Sequence, residues 1–302
     1  MIVKTGAEQD SPLNDSALGL TYDDLTAHFE GMGRVVVAFS GGVDSSLLLA
    51  AAHDALGNKV LAVTACSATY PSHEREFAIS LAGELGVRHR VIDSDELDDA
   101  DYRANPTNRC YYCKSELFCK LQAIAAEEKA DVVLDGSNDD DRSDFRPGRQ
   151  AAREFDVRSP LMELKLGKDA IRRLARGRGL PNWDQPACAC LASRIPYGEE
   201  ITPARLQRVG GAEQAIRGLG LRVVRVRDHG DLARVELGPD ELDSAVTADI
   251  RQQIAQIGRD QGYTYVCLDL LGYRTGAMNE VLGDGELAVH RELDPGKSTS
   301  PR

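Results

Sequence analysis

Four cysteines fall into two close pairs, Cys110 and Cys113 in "NRCYYCK" and Cys188 and Cys190 in "NWDQPACACLASRIPYGEE". Thiolates are nucleophiles and soft metal ligands, and in a reducing compartment paired cysteines serve metal binding, catalysis or burial rather than a disulfide framework. Cys110 and Cys113 stand three residues apart at the start of an expected helix, on one face and within reach of a common ligand. A place in the first turn is expected to lower their thiol pKa. The neighbours of all four are polar and turn-forming, so plain burial suits them least. Cys66, Cys119 and Cys267 lie in apolar helix or strand contexts and are expected in the core.

A second pattern can hold an anion. In "VVVAFSGGVDSS", residues 35–46, a β-branched run stops at Ser40-Gly41-Gly42 and a helix begins near Asp44, followed by Ser45 and Ser46. Paired glycines let the backbone approach a ligand, and the free N–H groups of a helix start, with its dipole, attract phosphate. The Lys-Ser/Thr ending of a Walker A loop is missing. A tight strand-to-helix turn with no ligand is the plainer alternative.

The elements that must position these groups follow from periodicity. Residues 34 to 180 alternate apolar runs ("RVVVAF", "KVLAVTA", "VRHRVI", "DVVLDG") with helical patterns, among them a long segment from Asn108 to Lys129. Such alternation predicts βαβ units and an α/β fold, a parallel sheet with helices on both faces and ligands at the carboxyl ends of the strands. After the second cysteine pair come a helix ("TPARLQRVGGAEQAIRGLG"), two alternating strands ("LRVVRVR", "LARVEL"), a helix from about Pro239 to Gln261, and "YTYVCLDL". They predict a smaller α+β domain with an antiparallel sheet. The expected division is a loose start at 1–18, a first domain at 19–181, a second at 182–283 and a loose tail at 284–302. No internal repeat is present.

The chain has 302 residues, 42% hydrophobic and 28% charged, enough for a buried core in two domains. Its net charge of −12 argues against loose nucleic-acid binding, since backbone affinity needs clustered Lys and Arg. No apolar leader and no membrane-length apolar run occur, so cytoplasmic location is the expectation.

The stretch SGGVDS resembles the PP-loop, SGGxDS, of the ATP pyrophosphatases, which grip the β and γ phosphates of ATP and cleave between α and β. The resemblance implies Mg²⁺, with Asp44 as a metal or pyrophosphate contact. It also implies that "LDGSNDDD", with Asp135 and Gly136, lies near the nucleotide, although its acids equally suit a solvated loop. The whole order, SGGVDS, "NRCYYCK", "LDG", "FRPGRQAA", "SPL", "NWDQPACACLASRIPYGE", "VRVRDH", "ARVEL" and "YVCLDLLGYRTGAMN", resembles the LarE family of ATP-dependent sulfur transferases over about residues 20 to 283. That resemblance implies a PP-loop domain joined to a smaller C-terminal domain. It also implies adenylation of a carboxylate of pyridinium-3,5-dicarboxylate mononucleotide, followed by displacement of AMP by sulfur, a step in making the nickel-pincer nucleotide of lactate racemase.

In the sacrificial branch of that family one cysteine before "SSR" gives up its own sulfur, and Ala189 stands at the matching place. The other branch resembles cluster-bearing thiolases, in which three cysteines hold a [4Fe-4S] cluster with one iron open to an added sulfide. The resemblance favours Cys110, Cys113 and Cys190 as ligands and leaves Cys188 as a spare or alternative. A closed Cys₄ zinc site, bare redox or persulfide thiols, and burial remain as rival readings.

Alternation puts Arg225 and Arg227 on one strand face, suited to phosphate and carboxylate. With Ser193 and Arg194 of "LASR" they match the family's phosphate-holding positions. Lys114, beside Cys113, is placed to steady the α-phosphate. The competing reading pairs these arginines with Glu213 or Glu236 on the surface. The family also implies a sulfide source and homo-oligomers. Two other functions stay open: a tRNA thiolase on the same platform, and a non-catalytic ATP-binding protein with structural zinc.

Overall fold

Val35, Val36 and Val37 open the strand β1 (Val35–Ala38), and their branching favours extended backbone with side chains on alternate faces. Val35 and Val37 enter one apolar cluster and Val36 enters another, so both faces must be covered. The computed structural model describes residues 19–142, 147–186, 189–274 and 276–277. In chain order the first part runs α1 (Tyr22–Ala27), β1, α2 (Val43–Leu56), β2 (Val60–Cys66), α3 (Ser72–Glu84), β3 (Arg88–Asp93), α4 (Ala100–Arg103), α5 (Arg109–Glu128) and β4 (Val132–Leu134). It continues with α6 (Gly148–Glu154), α7 (Pro160–Glu163) and α8 (Lys168–Arg178). The sheet order is β3-β2-β1-β4, every pairing parallel, with Val35 opposite both Val60 and Val132.

The run LLLAAA in α2 is buried all round, because the helix lies between the sheet and α1 and α8. The opposite face is covered by α5, whose buried stripe is Phe118, Leu121, Ile124 and Ala125. Cys119 falls off that stripe and is exposed, contrary to the expectation of burial. Cys66, at the end of the interior strand β2, is buried as expected.

The second part contains α9 (Pro203–Arg217), β5 (Val224–His229), β6 (Leu232–Leu237), α10 (Leu242–Ala245), α11 (Ala248–Asp260) and β7 (Tyr265–Leu268). β5 and β6 are antiparallel, but β7 joins β6 in parallel, so the sheet is mixed. The helix α11 supplies the crossover that a parallel pairing requires. The helical pattern after Pro239 is interrupted because Thr247 takes extended backbone, with ψ of 148°, and starts α11 afresh. As an edge strand, β7 buries little, and Cys267 is exposed rather than in the core. The two parts meet in a cluster of Tyr102, Leu191, Ala192, Ile195, Ile201, Leu206 and Val209. No helix among the described residues is long and apolar enough to cross a membrane.

Candidate active site

The phosphate loop follows β1 directly. Gly42 is the N-cap of α2, in extended backbone and with no side chain to cap the helix, so the first N–H groups stay open to an anion. Ser45 Oγ accepts from the Ser40 amide (3.3 Å) and donates to the Gly42 carbonyl (3.1 Å), while Ser46 Oγ donates to the Gly41 carbonyl (3.3 Å). Gly41 adopts φ of +70°. At Gly136 an added Cβ would stand 3.0 Å from the Ser45 amide nitrogen and 3.1 Å from its Cα, so only glycine lets the end of β4 approach the first turn of α2.

The neighbouring carboxylates are engaged. Asp135 is buried and accepts from Ser159 Oγ (2.6 Å) and Ser137 Oγ (2.7 Å). Asp44 takes both oxygens to Lys168 Nζ, at 2.7 and 2.8 Å, and accepts from Asn138 Nδ2 at 3.2 Å. Asn182 is buried beneath the loop and donates to the Gly41 carbonyl (2.7 Å) and Ser46 Oγ (3.0 Å). Lys168 and Asn182 are not among the expected site residues. Asn182 does stand in the "NWDQ" segment, whereas Lys168 gives no signal beyond an ordinary helical lysine.

The cysteine segments converge beside these strand ends. The Leu191 amide donates to the Thr69 carbonyl (2.7 Å), and Tyr70 Oη donates to the Ser40 carbonyl (2.7 Å), so the connection after β2 touches both the segment of Cys190 and the phosphate loop. Asn105, between α4 and α5, donates through Nδ2 to the carbonyls of Ile195 (3.2 Å), Pro196 (2.7 Å) and Glu199 (3.0 Å). Those bonds stitch the start of α5 to the "SRIPYGE" turn. Cys113 and Cys190 consequently pack against one cluster, with Cys110 exposed on the same helix end. Cys188 lies outside the described residues. Burial pushes the Cys113 thiol up, reinforced by Glu96 and Cys190, so the lowering expected from its first-turn position does not hold. Lys114 acts in the opposite sense on Cys113, and its stem packs against Gly148 with Nζ 5.4 Å from the Phe118 ring.

The arginines are buried rather than open. Arg194 is 1% exposed and forms a two-point pair with Glu213, Nε to Oε1 at 2.7 Å and Nη2 to Oε2 at 3.1 Å. Its Nη1 donates to the carbonyls of Ala189 (2.7 Å) and Cys190 (3.0 Å) and to Ser193 Oγ (2.8 Å), clamping the cysteine segment. Arg227 is paired with Glu236 at 2.9 and 2.7 Å and donates to the Ser193 carbonyl at 2.9 Å. Arg225, on the same strand face, lies 4.9 Å from the Tyr273 ring. The pairing with Glu213 and Glu236 is therefore present, but inside the protein rather than on its surface. Burial would raise the Glu213 carboxyl, yet Arg194, Arg225 and Arg217 outweigh it and hold the group below its ordinary value. A cleft of about 490 Å³ opens beside this clamp, lined by Tyr70, His73, Leu191, Gln207, Gly210 and Gln214. A larger cavity of about 660 Å³ lies at the start of β4, at the far end of the sheet from the phosphate loop.

The asparagine synthase family model matches residues 20–137, the stretch that holds the phosphate loop and the first cysteine pair. An uncharacterized protein of Synechocystis sp. is 45% identical over 260 residues, covering 86% of this chain and 97% of that protein. The pyridinium-3,5-bisthiocarboxylic acid mononucleotide synthase of Lactiplantibacillus plantarum is 40% identical over 268 residues, covering 88% of this chain and 96% of the relative. The chain belongs to the LarE family. A more distant likeness, 29% over 165 residues, reaches the argininosuccinate synthase of Methanopyrus kandleri and covers 50% of this chain and 42% of that enzyme.

Cys113 feels the charges of both Cys110 and Cys190, so three soft thiols share one neighbourhood. Among the described residues no three His, Cys, Asp or Glu side chains are drawn together tightly enough for a single metal ion. Two buried donors with no partner among the described residues, Tyr102 Oη and Arg109 Nε, lie in the same neighbourhood.

Proposed function

We propose that the protein is an ATP-dependent sulfur transferase that converts a carboxylate of pyridinium-3,5-dicarboxylate mononucleotide to a thiocarboxylate, for nickel-pincer nucleotide synthesis and the maturation of lactate racemase. The observation that carries this reading is the join between the two sites: the segment after β2 bonds to Ser40 of the phosphate loop through Tyr70 and to Leu191 beside Cys190 through Thr69. The first domain, 19–181, provides the adenylating site, and the second, 182–283, provides the substrate clamp.

The α2 N-terminus, with Ser40, Gly41, Gly42, Ser45 and Ser46, holds the β and γ phosphates. Asp44 meets Mg²⁺ or pyrophosphate when Lys168 releases it, and Asp135 and Gly136 close the loop from β4. A substrate carboxylate oxygen attacks the α-phosphorus, the α–β bridge breaks, and pyrophosphate leaves. Lys114 offsets the charge that builds on the α-phosphate. Sulfide then attacks the acyl carbon, and AMP departs with the bridging oxygen. Ser193 and Arg225, with Arg227 once it leaves Glu236, hold the substrate's phosphate and free carboxylate, while Arg194, fully engaged by Glu213 and the 189–193 segment, keeps Ser193 in place. Cys110, Cys113 and Cys190, with Cys188 in reserve, hold a [4Fe-4S] cluster, which when bound supplies an iron site for the incoming sulfide. Ala189 has no sulfur to give, so the protein is expected to turn over repeatedly with an external sulfide source. The reading also takes the protein to be a cytoplasmic homo-oligomer that acts on a small molecule, not on nucleic acid.

The test is anaerobically reconstituted protein with ATP, Mg²⁺, sulfide and the dicarboxylate nucleotide. AMP, pyrophosphate and more than one thiocarboxylate per chain are expected, with protein mass unchanged. ADP and orthophosphate as products would overturn the adenylation step. Loss of the elements of hydrogen sulfide from the protein would show that its own cysteine is consumed.

A further inference from the structure

Tyr102 is 1% exposed and Arg109 is 4% exposed, yet Tyr102 Oη and Arg109 Nε have no hydrogen-bond partner among the described residues. Buried hydroxyl and guanidinium donors are nearly always satisfied, so two orphans side by side need an acceptor. The rest of Arg109 is fixed: Nη1 donates to Asn105 Oδ1 at 2.9 Å, and its face lies 4.7 Å from the Tyr197 ring. Asn105 is itself held by three carbonyls of the 195–199 turn, so the guanidinium has little freedom to turn away. Glu96, the nearest carboxylate to Tyr102, already accepts from Ser67, Thr69 and Ser94. Tyr102 shares its cluster with Cys113 and Cys190, and Arg109 directly precedes Cys110 at the start of α5. A neutral thiol is a poor acceptor, whereas a thiolate or sulfide sulfur accepts strongly.

We infer that Tyr102 Oη and Arg109 Nε donate hydrogen bonds to the anionic sulfur gathered at Cys110, Cys113 and Cys190, and so act as positioning residues for it. The inference rests on the sulfur-carrying role proposed above and adds to it the groups that hold the charge. Hydrogen bonds to sulfur raise the reduction potential of an iron–sulfur centre, and added sulfide is retained better beside fixed donors.

The full chain, anaerobically loaded with iron and sulfide, is compared with Tyr102→Phe, Arg109→Lys and the control Tyr111→Phe, whose hydroxyl bonds Glu154 instead. Iron per chain, midpoint potential and the dissociation constant for added sulfide are measured. Tyr102→Phe is expected to keep its iron, shift the midpoint to more negative values and weaken sulfide binding by on the order of tenfold. Arg109→Lys, which keeps the charge but not the Nε geometry, is expected to shift less, and Tyr111→Phe not at all. If the wild type takes up no iron and sulfide, the proposed sulfur carrier fails and this inference falls with it. If the wild type loads and both variants keep its potential and sulfide affinity, the carrier stands and this inference alone is overturned, the donors being met by water. Tyr102→Phe removes one oxygen and fills no new space, so it reads out even if Arg109→Lys does not fold.

Discussion

The phosphate loop presents backbone groups and the cysteine site presents side chains, and the two should respond differently to change. The loop is drawn from residues 40–46, with Gly136 admitted only because it lacks a Cβ. Its serine hydroxyls turn inward and brace the loop's own carbonyls. The cysteine site is assembled from α4, the start of α5 and the segment before Leu191, which are held together by Asn105, Arg194 and a shared apolar cluster. The loop therefore depends on its glycines, on Asp44 and on the serines that brace it, all close in sequence, whereas the cysteine site depends on the junction staying closed.

The largest effects should separate the two regions. Asp44→Ala is expected to lower pyrophosphate exchange and thiocarboxylate formation together, by about a hundredfold or more, since both need the metal-bound triphosphate. Cys110→Ala, Cys113→Ala and Cys190→Ala are expected to abolish thiocarboxylate formation while leaving pyrophosphate exchange near wild type, and Cys188→Ala to reduce it only in part. Both assays run on the same preparations decide the matter. Loss of exchange in Cys113→Ala would mean that the regions form one inseparable site.

Next in size is the clamp between them. Glu213 is fully buried and receives Arg194, Arg217 and the Val226 amide. Glu213→Gln removes the counter-charge of Arg194 in the interior, and the expected cost is about 3 to 5 kcal/mol in urea unfolding. Because the folded carboxyl is held below its ordinary value of 4.5, its contribution is complete above that value and lost as pH falls below it, through the lower folded pKa. Wild-type stability should therefore drop on acidification below about pH 4.5, with a shallower drop in Glu213→Gln. Equal slopes would place the acid sensitivity elsewhere.

What could be read before the structure follows the same division. The loop was legible because its chemistry is contiguous: three valines, two glycines and an acid, in order, name a strand, a turn and a helix start. The parallel sheet was legible for the same reason, as each strand carries its own pattern. Asn182 and Lys168 were not, since each reaches the loop from a distant part of the chain. Cys119 and Cys267 were misplaced because an apolar neighbourhood in sequence does not say which helix face or sheet edge a residue occupies. For Cys113, burial against the cluster of Tyr102, Leu191 and Leu206 reversed the expectation that the helix start alone supports. Glu213 and Glu236 were legible as partners of the arginines, but on the surface; that the pairs lie inside the protein is a tertiary fact.

A tenfold effect is expected at those arginines. Arg227→Ala or Arg225→Ala removes a charged hydrogen bond of about 1.5 to 3 kcal/mol to the nucleotide substrate, so substrate affinity should fall at least about tenfold while ATP affinity holds. Arg227→Ala also leaves Glu236 without its two-point partner, so its melting temperature should fall as well. Isothermal titration with each ligand separates the outcomes. Unchanged substrate affinity in both variants would move the substrate pocket away from this strand.

The smallest effect tests how far the two regions are coupled. Tyr70 donates to the Ser40 carbonyl at 2.7 Å, and its chain neighbour Thr69 receives the Leu191 amide, so one short connection touches both sites. Tyr70→Phe removes a neutral hydrogen bond of about 0.5 to 1.5 kcal/mol, which corresponds to roughly two- to tenfold in an equilibrium constant. The Thr69–Leu191 bond is between backbone groups and survives the substitution. The KM for ATP should therefore rise several-fold, with the maximal rates of pyrophosphate exchange and thiocarboxylate formation unchanged. A parallel fall in the thiocarboxylate rate at saturating ATP would show that the connection transmits the position of the phosphate loop to Cys190, and that side chains at one site govern the backbone of the other.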